Sequence, residues 1–368
     1  MIDTIRLAFD VKKPPQSFNF ITSKNGVIKG FINPTKEMKA SGKYYPRITY
    51  LKRPTPNGNQ QQILVEFSIP KLLYGNNFDE VTDTDFDAIL DTLCRALHEM
   101  GILFRFPATV AGYKVVKIDY SKNIIFEDGT TVSQILRLLN LANIKRAMDI
   151  STSEFRNGGQ ICHLHTNQRD IAFYDKIADL KQSKTSEKRS EEKDNRCQLS
   201  LLDWLQSKRN LAVLRFEIRL NGVKEIRANL ARTGIETDNL TFRQMFSSEI
   251  SQKILLYWWN QILSAIPKAP LDDRTIEQVF LGLLRNKDAT PQRVLATLGM
   301  YALSNSPNFD ARFAKEVFDH RFANGSWARS NKLVLTPEIP HNLRHLLQIQ
   351  EAIQRMQPTK LKDYQDLL

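Results

Sequence analysis

The chain has 368 residues, 42% of them hydrophobic, so it is long enough for two domains or for one large domain with additions. A formal net charge of +12 favours a polyanionic partner, either a nucleic acid or an anionic membrane surface. No apolar run approaches the roughly 18 residues that cross a bilayer. The chain has few cysteines, Cys94, Cys162 and Cys197, and their spacing indicates neither a disulfide nor a zinc framework. These two observations predict a cytoplasmic protein without a membrane partner.

The first half of the chain alternates predicted strands and helices. Residues 1–80 are predicted to be strands and loops, with a turn at Asn57-Gly58. A helix is predicted over 83–101, because apolar residues recur there at helical spacing until Gly101. The further predictions are a strand at 113–120, a turn at Asp128-Gly129, a helix at about 132–149, a hairpin of strands 160–166 and 170–176, a charged loop at 181–196 and a strand at 211–220.

The second half of the chain is predicted to be almost entirely helical. Its predicted elements are helices at 242–265, 273–286, 291–304, 309–321 and 340–356, with a short strand at Lys332–Leu335. The pattern predicts an α+β fold, in which an antiparallel-rich sheet with helices on one face, of the ferredoxin or RRM kind, occupies residues 1–225. A mostly helical domain is predicted to follow over residues 226–368.

Ionisable residues share one face of the predicted sheet. Side chains alternate along a strand, so Glu66, Asp119 and Glu217 each lie opposite an apolar row. Tyr174 and Lys176 likewise lie opposite Ile171 and Phe173. An open face that carries three carboxylates, a tyrosine and a lysine suits phosphodiester chemistry better than packing. Carboxylates can hold Mg²⁺ or Mn²⁺, the cation and the lysine can hold phosphate, and the tyrosine can attack it.

Several basic residues are candidate contacts for the DNA backbone. Arg215 and Arg219 flank Glu217 on its strand, Lys117 lies in the strand of Asp119, and Arg169 directly precedes the strand of Tyr174. The helical half adds two more candidates beside Trp327, namely Arg329 and Lys332. Phosphate contacts of this kind would be independent of base sequence. A solvated charged surface is the alternative interpretation. Trp258 and Trp259 are predicted to belong to the core of the helical half.

Five short segments carry a resemblance to a known family. In chain order they are Met1-Ile2-Asp3, Val65–Asn76, Lys117-Ile118-Asp119, Ile171–Lys176 and Leu214–Arg219. Together they resemble the replication initiation endonucleases of filamentous phages (the gene II type), and more distantly the plasmid Rep-trans rolling-circle initiators. The resemblance covers about residues 1–220. None of the segments is specific alone, whereas five in the same order are moderately so.

The resemblance implies a role for each matching residue. Tyr174 of the Tyr-x-Lys element would attack origin DNA and form a 5′-phosphotyrosyl link, and Asp119 and Glu217 would be metal ligands, with Glu66 a weaker candidate. The protein would then be a metal-dependent, site-specific single-strand endonuclease and strand transferase. Its domain 1–225 would nick single-stranded or supercoiled origin DNA, and 226–368 would be a DNA-binding accessory domain. Host helicase and polymerase are candidate partners. Whether the protein forms a homodimer is left undecided.

One motif departs from the gene II pattern. Cys162-His163-Leu164-His165 has the His-hydrophobic-His form of the metal motif of the broader HUH nuclease class. A strand places both imidazoles on one face, as two metal ligands require. We favour the interpretation that His163 and His165 pack or contact DNA, because the carboxylates already offer hard oxygen ligands. Two alternatives stay open for the whole chain: a non-catalytic DNA-binding initiator or regulator, and a transposase or relaxase with the same tyrosine chemistry.

Overall fold

The computed structural model describes residues 1–11, 19–23, 26–56, 58–102, 107–127, 131–140, 152–156, 161–182, 212–237, 239–266, 276–284, 286–304, 311–335 and 344–364. Ten strands within these ranges form one antiparallel sheet with the order β2-β3-β4-β5-β1-β6-β10-β9-β8-β7. The strands are β1 Ile2–Asp10, β2 Asn19–Thr22, β3 Ile28–Ile32, β4 Arg47–Thr55, β5 Gly58–Ser68, β6 Lys114–Phe126, β7 Thr152–Arg156, β8 Ile161–His165, β9 Arg169–Asp175 and β10 Ala212–Asn221. The predicted α+β class is confirmed.

The helices are numbered in chain order, as the strands are. They are α1 Lys36–Ala40, α2 Ile69–Tyr74, α3 Phe86–Glu99, α4 Pro107–Ala111, α5 Val132–Asn140, α6 Lys176–Gln182, α7 Val223–Arg232, α8 Phe242–Met245, α9 Ser248–Ala265, α10 Ile276–Leu284, α11 Pro291–Ser304, α12 Ala311–Phe322, α13 Ser326–Leu333 and α14 Arg344–Arg355. Short 3₁₀ turns lie at Asp83–Asp85 and Leu361–Tyr364. None of the helices in the described ranges combines the length and apolarity that a membrane crossing needs.

The sixth strand corrects the sequence prediction, which ended it at residue 120. It continues to Phe126 through Ser121, Lys122 and Asn123, all at most 3% exposed. Polar residues interrupted the alternation on which the prediction depended. They are buried because they have partners: the Lys122 ammonium donates to Glu80 Oε2 at 2.6 Å, and the Asn123 backbone N–H donates to Glu80 Oε1 at 2.6 Å. Burying a polar group that has a hydrogen-bond partner costs far less free energy than burying one without a partner. The strand can therefore continue to Phe126.

The predicted hairpin of strands 160–166 and 170–176 is confirmed as β8 and β9, but β9 ends at Asp175. Lys176 therefore begins helix α6 instead of closing a strand. Asp175 Oδ1 accepts from the Ala178 backbone N–H at 2.9 Å, which satisfies one of the amides that a helix start leaves open. The predicted charged loop at 181–196 is wrong at its first two residues, which are helical, and the rest of it lies outside the described residues.

The predicted helices are present, most of them with altered ends. Helix 83–101 is the 3₁₀ turn followed by α3, helix 132–149 is described as far as residue 140, and 291–304 matches α11 at both ends. The predicted helix 242–265 is divided into α8 and α9, because Ser247 Oγ accepts from the Ile250 N–H and starts a new helix. Helix α7 was not predicted. The predicted strand at Lys332–Leu335 is wrong, since α13 runs to Leu333.

The main core lies between the apolar face of the sheet and helices α3, α7, α9 and α14. Phe173 and Phe216 stack there with ring centroids 4.4 Å apart, and Trp259 packs against both. Trp258 and Trp259 are at most 2% exposed, so they are core residues as predicted, but they belong to this sheet core and not to a separate core of the helical half. Each buried aromatic ring removes roughly 150–250 Å² from water and makes a large contribution to stability.

Helices α10, α11 and α13 have smaller cores of their own. Val279, Leu283, Val294, Tyr301 and Leu335 form one cluster, and a second cluster joins α11 and α13. The helices that follow residue 225 are thus shared between the sheet core and these separate clusters. The domain boundary at 225/226 stays a prediction.

Candidate active site

Tyr174 lies at the centre of a polar cluster on the face of the sheet opposite the helices. It is paired with Arg215 on the neighbouring strand β10. Its hydroxyl donates to Glu217 Oε1 at 2.7 Å, and the Arg215 Nε donates to the same oxygen at 2.7 Å. The other carboxylate oxygen, Oε2, accepts from Arg219 Nε at 3.0 Å. Glu217 therefore holds the phenol and two guanidinium groups together, on the face of the sheet to which the alternation of β9 and β10 had assigned all of them.

Arg215 anchors this cluster to the surrounding strands and loops. Its side chain is 2% exposed, and it donates to Asp3 Oδ1 at 2.6 Å, Ser121 Oγ at 3.0 Å and Asn123 Oδ1 at 3.0 Å. A further bond goes to the Asn77 carbonyl at 3.2 Å. Sequence reasoning gave these partners no role. Asp3 was part of a recognised segment, whereas Ser121 and Asn123 were missed because the strand prediction ended before them.

The cluster is buried, although the sequence predicted an open face. Tyr174 is 8% exposed and Glu217 3%. Burial raises the pKa of the Tyr174 hydroxyl well above its usual value, and the Glu217 charge adds to the effect. Burial would also raise the pKa of Glu217, but Arg219 and Arg215 hold it well below its usual range. In this arrangement the phenol is neutral and the carboxylate is ionised.

Asp119 lies on β6 beside this cluster, opposite Arg219 on β10. Burial raises its pKa to about 7, against the opposing effect of Lys117 and Arg219. Its Oδ1 is buried without a hydrogen-bond partner among the described residues, and its Oδ2 is 3.4 Å from the Lys117 ammonium. The same ammonium donates to Glu66 Oε1 at 3.1 Å. Asp119 is therefore a buried carboxyl group with an oxygen available for a further ligand.

Lys176 is the least satisfied charge of the cluster. It is fully buried, its ammonium has no hydrogen-bond partner in the described parts of the chain, and it lies 5.8 Å from the centre of the Tyr174 ring. Burial lowers its pKa to about 7, and the nearby Arg215 charge adds to the effect. A buried cation without a partner costs stability. Such a cost points to function, because it would be relieved by an anion in the cluster.

We expect Lys176→Met to stabilise the fold by roughly 2–4 kcal/mol at about pH 6. The folded-state pKa lies below the unfolded value, so the cost of the buried ammonium is fully present below about pH 7 and disappears towards pH 10. The gain should therefore shrink as the pH rises. Thermal unfolding of the wild type and the variant at pH 6 and pH 9 measures this. A gain in stability that is equal at the two pH values would show that the charge of the Lys176 ammonium is not its cause.

The two histidines lie farther out on the same face. His163 pairs with Ala172 and His165 with Asp170 on β9, and their ring centroids are 6.3 Å apart. Burial and the Arg219 charge lower the pKa of His163. Asp170, which sequence reasoning did not select, lies 3.5 Å from Arg219 through Oδ2 and has a buried Oδ1 without a hydrogen-bond partner among the described residues. The strand predicted for the histidine pair is present, and their role as ligands stays a prediction.

If the chain nicks DNA as the resemblance implies, replacing His163 and His165 together with Ala should reduce the rate of nicking only modestly, and added Mn²⁺ should not restore it. The reason is that the polar cluster around Glu217 is built without either imidazole. A nicking assay with titrated Mg²⁺ and Mn²⁺ checks this. Complete loss of metal-dependent nicking would show instead that the pair binds the metal.

The fit of a divalent cation depends mainly on Asp119. No group of three or more His, Cys, Asp or Glu side chains that could hold a metal is found in the described ranges. Both oxygens of Glu217 are taken by Tyr174 and the arginines, and Glu66 is taken by Arg6 and Lys117. The buried, partnerless Oδ1 of Asp119 is a hard oxygen of the kind that Mg²⁺ and Mn²⁺ prefer. Asp119 could therefore supply one ligand to such a cation, and Glu217 could supply another only by releasing an arginine.

The predicted DNA contacts fall in different places. Lys117, Arg215 and Arg219 belong to the polar face. Arg169 lies on the opposite, helix-covered face, where its Nη1 is 2.8 Å from Glu225 Oε1 and its guanidinium lies 4.1 Å from the centre of the Trp258 ring. The structure therefore gives Arg169 a packing role in place of the predicted DNA contact. Arg329 and Lys332 are both exposed on α13, among the separate C-terminal clusters.

Comparison with known families assigns the chain to a class. The family described as the N-terminal part of the gene II-type replication-associated protein of phages matches residues 1–247. This match places the chain among phage replication proteins. The fold and the order of the sequence motifs are consistent with that class. The chain belongs to this family of replication-associated proteins, and the resemblance to gene II-type replication proteins is confirmed. No curated protein and no solved structure matches the chain.

Proposed function

We propose that this phage rolling-circle replication initiator nicks one strand of origin DNA with Tyr174 as the nucleophile. The observation that carries the proposal is the bond from the Tyr174 hydroxyl to Glu217 at 2.7 Å, within a cluster of three cations: Arg215, Arg219 and Lys176. A phenol held beside a proton acceptor and surrounded by positive charge suits attack on a phosphodiester.

The proposed step is a transfer of the phosphoryl group. Tyr174 Oη bonds to phosphorus while the bond from phosphorus to the 3′-oxygen breaks, which leaves a 5′-phosphotyrosyl link and a 3′-OH. Glu217 accepts the phenolic proton, and the leaving oxygen takes a proton from solvent. The phosphodiester energy is kept in the new link, so attack by a 3′-OH can later reseal the strand.

The arginines would set the timing of this step. While both are paired with Glu217, its pKa is well below its usual range and the pKa of Tyr174 is raised, so proton transfer is unfavourable. An entering phosphate offers the guanidinium groups a second, bidentate partner. An arginine that turns towards phosphate releases Glu217, raises its basicity and stabilises charge on the phosphate oxygens at the same time.

The proposal has two further requirements. Tyr174 is 8% exposed, so the scissile phosphate can reach it only if the cluster opens as DNA binds. We also propose that Mg²⁺ or Mn²⁺ is held by Asp119, together with Glu217 once that residue is released. Such a cation supplies positive charge to the phosphate oxygens when it is bound.

A nicking assay with trapping of the covalent product tests the proposal. Purified protein is incubated with supercoiled plasmid bearing the phage origin, with and without Mg²⁺ or Mn²⁺, and the DNA-linked peptide is mapped by mass spectrometry. We expect an adduct on the peptide that contains Tyr174. Retained origin binding without a nick would indicate a non-catalytic initiator. An adduct on another residue would refute the site.

A further inference from the structure

A row of charged side chains crosses four neighbouring strands on the polar face of the sheet. Arg47 on β4 pairs with Glu66 on β5, Glu66 pairs with Arg6 on β1, and Arg6 pairs with Lys117 on β6. We call these four residues the cation row. Strands lie about 4.8 Å apart, so the row spans roughly 14 Å. It carries three positive charges and one negative charge.

The single carboxylate of the row is shared between two cations. Glu66 Oε2 accepts from Arg6 Nε at 2.6 Å, and Glu66 Oε1 accepts from the Lys117 ammonium at 3.1 Å. Lys117 also lies 3.4 Å from Asp119 Oδ2. Burial would raise the pKa of Glu66, but Lys117 and Arg6 keep it below its usual value, so Glu66 is ionised. Within the four residues of the row, cations therefore outnumber carboxylates by three to one.

The exposure of the three cations falls along the row towards the Tyr174 cluster. Arg47 is exposed, the Arg6 side chain is 39% exposed, Lys117 16% and Asp119 only 7%. Asp119 in turn lies opposite Arg219, which is bonded to Glu217. Positive charge thus leads from solvent at β4 to the buried cluster. Grooves that guide a single nucleic-acid strand by its backbone have this arrangement.

From this placement we infer that the cation row is a binding site for the phosphates of single-stranded DNA beside the nick. The inference rests on the proposed function, since it takes DNA as the ligand of the Tyr174 cluster. Phosphates would replace Glu66 as the partner of Arg6, and Glu66 would act as a competing anion that keeps the row ordered in free protein. With this role for Glu66, the prediction that Glu66 is a metal ligand becomes unnecessary.

Binding of a fluorescent single-stranded oligonucleotide to the whole chain tests the inference. Anisotropy is measured without divalent cations, so that nicking does not contribute. We expect the Arg6→Gln/Arg47→Gln double variant to bind at least about tenfold more weakly, and the slope of log affinity against log salt to fall by about 1.4, as two lost phosphate contacts predict. Arg47→Gln alone should give a smaller loss in the same direction, and Arg47 is exposed enough that folding is not at issue.

Glu66→Gln gives a result of opposite sign. Removal of the competing anion should tighten binding several-fold. The matched control is Arg243→Gln/Arg355→Gln, which removes two exposed arginines that are also paired with carboxylates, Asp87 and Glu351. It should change affinity less than about twofold. Unchanged binding in the Arg6/Arg47 variant, equal loss in the control, or weaker binding by Glu66→Gln would each overturn the inference. Binding that follows these expectations in a protein that never nicks DNA would refute only the proposed function.

Discussion

Tyr174→Phe should abolish both strand nicking and the covalent adduct, while origin binding remains close to that of the wild type. Phenylalanine keeps the ring and the strand propensity but offers no oxygen to bond with phosphorus. One buried hydrogen bond to Glu217 is lost, and Glu217 keeps Arg215 and Arg219 as partners. The stability cost should therefore be small, about 1 kcal/mol. Gel assays of nicking, adduct formation and origin binding, with a thermal unfolding curve, separate these effects.

Two other tyrosines serve as internal controls for this result. Tyr120 is fully buried in the helix-covered core, as its place in the apolar row predicted. Tyr113 precedes β6 and stacks on Phe9 with ring centroids 4.5 Å apart. Tyr113→Phe should leave nicking intact, because its ring belongs to that stack and not to the Glu217 cluster. An adduct that persists in Tyr174→Phe would show that another residue is the nucleophile.

Asp119→Ala and Glu217→Ala should each reduce nicking by at least about a hundredfold, with origin binding nearly unchanged. The structure separates the two cases. Asp119→Ala removes a carboxyl group with a partnerless buried oxygen, so the fold should tolerate it. Glu217→Ala leaves Arg215 buried beside an empty position, which costs roughly 3–5 kcal/mol. Glu217→Gln keeps an oxygen for the Tyr174 hydroxyl and is the better test of the charge.

Metal titration distinguishes the roles of the two carboxylates. If Asp119 holds the cation, nicking by Asp119→Ala should respond only weakly to Mg²⁺ or Mn²⁺ at any concentration. Glu217→Gln should keep a metal response at a much lower rate, because Asp119 is intact and the proton acceptor is lost. The control is Asp10→Asn, which removes an exposed carboxylate at the far end of β1. If either Asp119→Ala or Glu217→Gln nicks DNA at the wild-type rate, the replaced residue is not part of the active site.

The sequence determined the fold class and the face on which the site lies. Side-chain alternation in β5, β6, β9 and β10 depends only on neighbouring residues, so Glu66, Asp119, Tyr174 and Glu217 could be assigned to one face before the strands were paired. The order of five short segments gave the family, which the match over residues 1–247 confirms. Helical periodicity located α3 and α11 for the same local reason.

Only the tertiary structure decided which of these residues touch and which are buried. Strand pairing brings Glu217 to Tyr174 across 43 positions and Arg215 to Asp3 across 212, and no local pattern contains such partners. Other long-range bonds, from Arg215, Glu80 and Phe78, satisfy Ser121, Lys122 and Asn123 and so allow β6 to continue where the pattern ended. Polar residues look alike in sequence whether water or a buried partner satisfies them. Their desolvation, and with it the raised pKa of Tyr174 and the buried charge of Lys176, is a property of the packed chain alone.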